Sequence, residues 1–352
     1  MAAPLGTFHY YEDTMSDLQP LQRLTNCVAR GQNDGLNPGS SADVDSTDNR
    51  PSRVVHDAPS IPLSGKLRNY VKSLLPDYLF LILFHRKQIG RYPRLRRPET
   101  FNEMILQRNL RPDPRFAGLT DKLQVREYVE RKIGGSHLIP LIAAPEKFDR
   151  GVFDALPRAF VMKANHGSSF VKLVHDKSET SYEELHELAQ QWLSTEFYPI
   201  QREKHYREIK AKIFFETLLV DQMGKVPADF KLHCFRSHSG EPTIFILMIS
   251  GRFGADTHGD VYDVHWNRLD ISIGEYTRSP APVAAPPNLH EILRVATLLS
   301  EDFNYVRVDL YSHKEQVFFG ELTFTPGAGV LPFGPDEVDY EWGRLFKASQ
   351  QT

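Results

Sequence analysis

The strongest constraint on the fold is a series of short runs in which apolar and polar residues alternate. A period of two is typical of β-strands that bury one face. Turn-forming pieces between some runs, such as 221–224 and 237–240, are typical of antiparallel hairpins. Because the strands cluster and few helices intervene, the pattern favours an α+β fold over an alternating parallel sheet. The runs are 159–164, 170–175, 212–219, 229–236, 243–249, 305–311 and 317–324.

Helix starts are predicted where a polar cap precedes an apolar stripe, in most cases with Glu three residues later. The apolar stripes that follow have the spacing of three, four and seven residues of a helix packed on one side. The predicted starts are Thr100 with Glu103, Thr120 or Asp121, Ser181 with Glu184, and Asn288 with Glu291.

The N-terminal part differs in composition from the rest. Residues 33–62 are rich in Asp, Ser, Asn, Gly and Pro and contain almost no aromatic residues. Such a segment cannot bury enough apolar surface to offset the entropy lost on ordering. We therefore expect residues 1–64 to be a disordered extension without chemistry. Residues 1–11 have neither a basic start nor an apolar run, so we expect no signal peptide.

Composition excludes several classes of protein. The chain has 42 Lys or Arg against 45 Asp or Glu, so no global field holds a polyanion such as a nucleic acid, or an acidic membrane, and any phosphate must be bound locally. Cys27 and Cys234 are too few for a disulfide framework or a cysteine zinc site, and we interpret them as free thiols in a reducing, cytoplasmic compartment. The P-loop, Rossmann, zinc-protease and nucleophile-elbow patterns do not occur.

The longest apolar stretch is 78–84, which precedes His85, Arg86 and Lys87. It is far shorter than the roughly 18 residues that a membrane-spanning helix requires. A buried helix is the favoured interpretation, and contact with a membrane surface or a partner is the alternative.

Two of the predicted strands carry charges on one face. Arg307 and Asp309 lie two residues apart, and Glu321 and Thr323 repeat this arrangement on the next strand. Two carboxylates on neighbouring strands repel unless a cation lies between them, and magnesium or manganese fits. The alternative is an ion-pair network on a solvated sheet face. The Gly-containing turn 325–329 favours the metal site, because it lets the backbone approach a ligand closely.

The turn that joins the first two runs resembles a phosphate cover. Lys163 would supply a charge from the strand, and the turn would present N–H groups and hydroxyls to oxyanions. The same turn is also a good hairpin connection, so both interpretations remain open. Its residues are Asn165, His166, Gly167, Ser168 and Ser169.

Other charged residues are less specific. Asp229 and Lys231 share a strand face, and a pair between them is slightly favoured over contact with a nucleotide. Glu216 ends an apolar run, where an unpaired charge is costly. We expect it to accept hydrogen bonds from backbone amides or from an adenine amino group.

The order of these segments resembles the ATP-grasp superfamily, and more closely its teichuronopeptide-biosynthesis (TupA-like) branch. The resemblance runs from PETFNE at 98–103, through Thr120-Asp121-Lys122 and the 163–169 segment, to the strands around Asp309 and Glu321. It implies two α/β lobes whose antiparallel sheets clasp ATP. The implied boundaries are an extension 1–64, a helical segment 65–118, and an ATP-grasp domain 119–350 with lobes 119–215 and 216–350.

The resemblance also implies roles for single residues. Lys122 and Lys163 would reach the ATP phosphates, residues 165–169 would close over the triphosphate, and Glu216 with the backbone around Leu218 would hold the adenine. In the same way, Asp229 or Lys231 would contact the ribose or phosphates, Lys231 and Arg307 would assist the transfer, and Asp309, Glu321 and Thr323 would bind magnesium. Many members carry Asn at the position of Thr323 and bind magnesium through its amide oxygen. Threonine can ligate only through its hydroxyl.

The function implied by the resemblance is ATP-dependent carboxylate–amine ligation through an acyl phosphate. The acceptor would be a uronic-acid polysaccharide or its precursor, and the amine an amino acid, in cell-surface polysaccharide biosynthesis. A phosphotransferase acting on a sugar hydroxyl is the alternative, and a binding module without catalysis is a third.

Overall fold

The computed structural model describes residues 74–221, 224–236, 241–251 and 257–350. The chain divides into two compact units, Met1–Pro76 and Asp77–Thr352, and the description below concerns the second. The predicted extension 1–64 and Cys27 lie outside the described residues.

The described part alternates short helices with antiparallel strands. The helices are α1 Asp77–Ile89, α2 Phe101–Leu110, α3 Arg115–Thr120, α4 Val125–Ile133, α5 Arg150–Ala155, α6 Tyr182–Ser194, α7 Tyr198–Gln201, α8 Leu289–Ser300 and α9 Glu337–Ser349. The strands are β1 Leu141–Ala143, β2 Phe160–Ala164, β3 Val171–Val174, β4 Ile213–Glu216, β5 Asp229–Phe235, β6 Thr243–Ser250, β7 His258–Tyr262, β8 Ser272–Ile273, β9 Tyr305–His313, β10 Gln316–Thr323 and β11 Phe333–Gly334.

Two sheets carry the architecture. The smaller has the order β1-β4-β2-β3 and the larger the order β10-β9-β5-β6-β7, while β8 pairs with β11. Every pairing is antiparallel. The α+β fold is therefore confirmed, and all seven predicted runs contain a strand.

One predicted hairpin is wrong. The turn at 221–224 does reverse the chain, since Asp221 N–H donates to Lys225 O and Gly224 N–H to Asp221 O. However, β4 before it pairs with β1 and β2, whereas β5 after it pairs with β6 and β9. Turn chemistry specifies a local reversal and carries no information about which sheet the next strand joins. The hairpins β2–β3, β5–β6 and β9–β10 are confirmed.

One face of the larger sheet forms the main hydrophobic core. Residues Leu232, Val306, Val308 and Leu310 are completely buried there against α4 and α8. Burial at about 25 cal/mol per Å² of apolar surface is the main stabilising contribution of this layer. The sequence alternation predicted which side chains of β9 lie in the core.

The opposite face is divided along its length. At one end Phe235 and Tyr305, which are register partners, pack against α2 and α9 through Phe101, Trp342 and Phe346. The ring of Phe101 stands edge-on to Tyr305 and Trp342, with centroids 4.9 and 5.6 Å away. The other end of the same face carries charged residues. The aromatic cluster thus places α2 and α9 beside the charged half of the sheet.

The predicted helix caps have mixed outcomes. Thr100 and Glu103 form the full capping box of α2, and the hydroxyl of Ser181 accepts a bond from Glu184 N–H at the start of α6. Asp121 accepts from Leu123 and Gln124 N–H in a turn that precedes α4, so that helix begins later than predicted. The helix after Asn288 is confirmed with Asn288 at its N-cap position, but the Asn288 side chain makes no capping bond. The Asn288 side chain instead donates to Glu315 O and accepts from the Ser312 hydroxyl.

The apolar stretch 78–84 lies in α1. Phe80, Leu81 and Phe84 are buried, as the favoured interpretation requires, while Tyr78 and Leu83 on the other side are 50% and 45% exposed. Within the described ranges, no helix combines the length and apolarity needed to cross a bilayer.

The packing of α9 on the start of α2 gives a test of the fold. A Cβ on Gly343 would lie 2.7 Å from Thr100 Cα and would clash with Glu99 O. We expect Gly343→Ala to lower the free energy of unfolding by about 2 kcal/mol or more, because backbone atoms cannot move aside. Urea unfolding measures this change.

Gly135→Ala is the matched control, since its nearest neighbour, Glu130 Oε1, would be 3.5 Å from the new Cβ. It should change stability by less than about 0.5 kcal/mol. Equal stability of the two variants would contradict the described packing of α9.

Candidate active site

A charged layer occupies the second half of the divided sheet face. Asp309 of β9 is the register partner of both Lys231 of β5 and Glu321 of β10, and Arg307 is the partner of Thr323. A β-bulge at Gly320 precedes Glu321 and brings it opposite Asp309. A side chain at Gly320 would meet Asp309 O at 2.9 Å, so only glycine fits this bulge.

The layer is held by short ion pairs. Lys231 Nζ lies 2.6 Å from Asp309 Oδ2 and 3.0 Å from Asp229 Oδ2. Arg307 donates to Asp309 through Nε at 2.6 Å and through an Nη at 2.8 Å, and the same Nη donates to Glu321 at 3.0 Å. Because Asp309 is only 2% exposed, these contacts provide the compensation that a buried charge requires.

The two central carboxyls differ in acidity. Burial raises the pKa of Asp309, and the negative charges of Glu321 and Asp229 act in the same direction. Arg307 and Lys231 lower it, but the net effect is a raised pKa. For Glu321 burial also acts upward, but Lys122, Arg307 and Lys231 outweigh it and hold the pKa below its ordinary value. Burial lowers the pKa of Arg307, but the charge and hydrogen bonds of Asp309, together with the charge of Glu321, outweigh it, and the pKa of Arg307 is raised. Glu321 is thus an anion, held among cations.

Thr323 extends this layer. Its hydroxyl accepts from Arg307 at 2.9 Å and donates to Glu321 Oε1 at 3.0 Å. Among the residues that the structure describes, no group of three or more His, Cys, Asp or Glu is arranged to hold a metal ion. A divalent ion here would have the two carboxylates Asp309 and Glu321, and the remaining ligands would come from a hydroxyl, water or phosphate.

A second charged group belongs to the smaller sheet. Lys163 of β2 donates to Glu216 of β4 at 2.7 Å, and Arg126 of α4 donates to the other oxygen of Glu216 at 3.0 Å. Glu216 is 5% exposed. Its carboxylate accepts these hydrogen bonds from two cationic side chains, where backbone amides or an adenine were expected. Leu218 lies two residues beyond the end of β4 and is half-buried.

The turn 165–169 has two different parts. Asn165 is structural: its side chain donates to Lys210 O at 3.0 Å and accepts from Lys212 N–H at 2.7 Å. His166 is buried, and burial lowers its pKa. A Cβ on Gly167 would lie 2.7 Å from the rings of Phe170 and Phe197.

Ser168 and Ser169 form the exposed part of the turn. Ser169 has φ of +64°, a left-handed conformation that non-glycine residues rarely adopt. The buried part thus anchors the turn, and the serines are accessible to a ligand.

Lys122 connects the charged layer of the larger sheet with the 165–169 turn of the smaller sheet. Its backbone N–H donates to Asn165 O at 3.3 Å, and its Nζ donates to Gly167 O at 2.6 Å and lies 3.5 Å from Glu321 Oε2. The loop of the smaller sheet and the carboxylate of the larger sheet therefore meet at one side chain. Lys122, Lys231, Arg307, Asp309 and Glu321 belong to one connected set of contacts, and Lys163 belongs to the separate set around Glu216.

Two residues of this region were missed by the sequence reasoning. Arg126 follows Lys122 by four residues, which in the helix predicted from Thr120 or Asp121 would place both side chains on one side, and this spacing could have identified it. Glu203 lies in an irregular segment, and its buried carboxyl accepts from the Thr325 hydroxyl at 2.5 Å. Burial raises the pKa of Glu203 to about 7. No pattern in the sequence indicates that this glutamate is buried.

A family model described as TupA-like ATPgrasp matches residues 103–347. No curated protein sequence matches this chain.

Similar solved structures include two D-alanine–D-alanine ligases. That from Bacillus anthracis is 16% identical, with 67% of each chain covered and a TM-score of 0.39. That from Helicobacter pylori is 16% identical, with 66% of this chain and 61% of its own covered and a TM-score of 0.37. Phosphoribosylamine–glycine ligase from Thermotoga maritima is 14% identical, with 60% and 50% covered and a TM-score of 0.35. The chain spans half to two thirds of these proteins, and the likeness concerns the fold alone.

The buried Glu203 predicts a dependence of stability on pH. Its folded pKa of about 7 exceeds the ordinary 4.5, so the folded state binds more protons between these values. The contribution of this group to stability is therefore present at low pH and lost as the pH rises towards 7 and beyond. Relative to Glu203→Gln, the wild type should lose up to about 3 kcal/mol of unfolding free energy between about pH 5 and pH 8.

Urea unfolding across this pH range measures the difference. Glu208→Gln, an exposed glutamate of the same segment, is the control and should follow the wild type. Parallel profiles for the wild type and Glu203→Gln would show that Glu203 does not titrate differently on folding.

Proposed function

Because the chain belongs to the TupA-like ATP-grasp family, we propose that it is an ATP- and Mg²⁺-dependent carboxylate–amine ligase that acts through an acyl phosphate. The observation that carries this proposal is the position of Lys122 between the 165–169 turn and Glu321. It makes phosphate-binding groups and metal-binding groups parts of one site.

The residues present suit a divalent cation delivered with a triphosphate. Asp309 and Glu321 would hold the ion, with Thr323 as a further oxygen donor, and manganese would fit the same ligands. When bound, magnesium supplies positive charge to the phosphate oxygens and orients them for transfer.

The lysines and Arg307 bind and orient the triphosphate. Lys163 can turn from Glu216 to a phosphate oxygen because Arg126 still compensates the Glu216 carboxylate at 3.0 Å. Lys122 is already fixed to Gly167 O, so the turn and the lysine would act on the same phosphate. Ser168 and Ser169 would add N–H groups and hydroxyls. Glu216, Leu218 and Asp229 would hold the adenosine part.

The chemistry needs positioning more than a protein nucleophile. The substrate carboxylate attacks the γ-phosphorus, ADP leaves, and an acyl phosphate forms. The amine then attacks the acyl carbon, loses a proton, and phosphate leaves as the amide forms. Arg307 and Lys231 would stabilise the negative charge that develops on the transferred group.

For the substrates, the resemblance to the TupA-like branch supports a uronic-acid glycan or its precursor as the acid and an amino acid as the amine. Cell-surface polysaccharide biosynthesis and a cytoplasmic location are part of the same proposal. The division into lobes 119–215 and 216–350 is also part of this proposal. Each lobe contains one of the two sheets, except that Glu216, the last residue of β4, falls in the second lobe.

Removing either metal-binding charge tests the site. We expect Asp309→Asn and Glu321→Gln each to lower acceptor-dependent release of ADP by about a hundredfold or more, because charge stabilisation at the metal is lost. A coupled ADP assay measures the rate, and thermal unfolding verifies that each variant is folded.

Asp270→Asn is the matched control, since this acid pairs with Arg278 and its side chain is 98% exposed. It should retain the wild-type rate. Unchanged turnover in both Asp309→Asn and Glu321→Gln would refute the metal assignment.

The products decide the reaction class. With ATP and pairwise mixtures of uronic acids and amino acids, we expect mass spectrometry to detect ADP, phosphate and an amide. Hydroxylamine should replace the amine and give a hydroxamate, because it traps an acyl phosphate. ADP with a stable phosphoester, and no hydroxamate, would instead identify a phosphotransferase.

A further inference from the structure

Helix α1 is apolar on both of its sides. Phe80, Leu81 and Phe84 are buried against the domain. On the other side Tyr78, Leu79 and Leu83 are 50%, 43% and 45% exposed. A helix that is hydrophobic all round is normally covered all round. Over residues 78–84 the outer side of α1 thus carries apolar residues where a helix that faces only water would carry charged and polar ones, and Arg86 and Lys87 follow in its last turn.

Other exposed apolar side chains of the described part are few and dispersed. Among the described residues from Asp77 onward, the large ones beyond α1 are Tyr92, Leu141 and Tyr276. Tyr92 is 65% exposed, and the guanidinium of Arg86 lies over its ring at 5.6 Å from the centroid. Tyr92 therefore continues the surface of α1. We call Tyr78, Leu79, Leu83, Arg86, Lys87 and Tyr92 the α1 face.

The α1 face lies in a strongly basic region of an acidic chain. Residues 66–97 contain nine Lys or Arg and one Asp, whereas the whole chain has 42 Lys or Arg and 45 Asp or Glu. Arg86, Lys87, Arg96 and Arg97 are exposed. An apolar, aromatic protein surface bordered by cations complements a lipid surface with apolar acyl chains beneath anionic headgroups.

We propose that the α1 face docks the protein onto an anionic membrane surface. Leu79, Leu83 and the tyrosines would enter the interface between headgroups and acyl chains, while Arg86 and Lys87 would contact lipid phosphates. The helix of 13 residues would lie in the plane of the membrane rather than cross it.

The same charges disfavour two other occupants. In a second copy of this chain, the face would bring equal positive charge, and like charges placed together cost several kcal/mol. The chain segment that directly precedes α1 contributes Lys66, Arg68 and Lys72, which have the same sign. An anionic lipid surface is the partner that complements both properties of the face.

Vesicle binding by the full-length protein tests the proposal. We expect sedimentation with vesicles of equal parts phosphatidylglycerol and phosphatidylcholine to be at least about tenfold stronger than with phosphatidylcholine alone. Binding should fall sharply in about 1 M salt, where charge interactions are screened.

Two variants separate the charged and apolar contributions. Arg86→Glu with Lys87→Glu should weaken binding by about thirtyfold or more, at about 1 kcal/mol per cation. Leu79→Gln with Leu83→Gln should weaken it by about tenfold. Arg131→Glu with Lys147→Glu makes the same change in net charge at exposed sites elsewhere and should have a much smaller effect. Circular dichroism verifies that all variants are folded.

Failure of the full-length protein to bind anionic vesicles would overturn the proposal. Equal binding to neutral and anionic vesicles, or equal loss in the control variant, would also overturn it. A dimer that Leu79→Gln with Leu83→Gln dissociates would identify a second copy as the occupant instead. ATP turnover does not enter the measurement, so the outcome is independent of the proposed ligase activity.

Discussion

Asp309 lies on β9, between β10 and β5, and only 2% of its surface is exposed. An isolated carboxylate at such a position would be protonated or would destabilise the sheet. Lys231 and Arg307 prevent this, because register and strand period place their side chains beside it at 2.6–2.8 Å. Asp309, Lys231 and Arg307 can therefore be buried only together, and the remaining side chains of this sheet face have to pack around all three.

The division of that face into an aromatic half and a charged half follows from this requirement. His233 lies at the boundary, where its Nδ1 interacts with the Tyr305 hydroxyl at 2.8 Å, and burial keeps its pKa well below the ordinary value. A neutral histidine can adjoin the rings of Trp342 and Tyr305 on one side and Arg307 on the other without adding a charge. The aromatic half anchors α2 and α9, while the charged half is left open towards the 165–169 turn.

The sequence was informative where a single strand determines the outcome. The period of two in β9 predicted both the buried face and the shared side of Arg307 and Asp309. The neighbours of that strand also followed, because β9–β10 and β5–β6 are local hairpins. The separation of β4 from β5 could not be predicted, since it depends on packing between distant segments. Glu203 was missed for the same reason: its burial results from contact with Thr325, 122 positions away.

The charge balance of the site bears on why a metal would be needed. The two charged groups together contain five cations, namely Lys122, Arg126, Lys163, Lys231 and Arg307, and four carboxylates, namely Glu216, Asp229, Asp309 and Glu321. These groups nearly neutralise one another, so a triphosphate would bring several negative charges into a site with little net positive charge. Lys163 can leave Glu216 because Arg126 still pairs with that carboxylate. Lys231 and Arg307 cannot leave Asp309 in the same way, because the buried carboxylate would then have no positive partner. A divalent cation that arrives with the triphosphate would remove this conflict, since it would compensate Asp309 and Glu321 and free Arg307 and Lys231 for the phosphates.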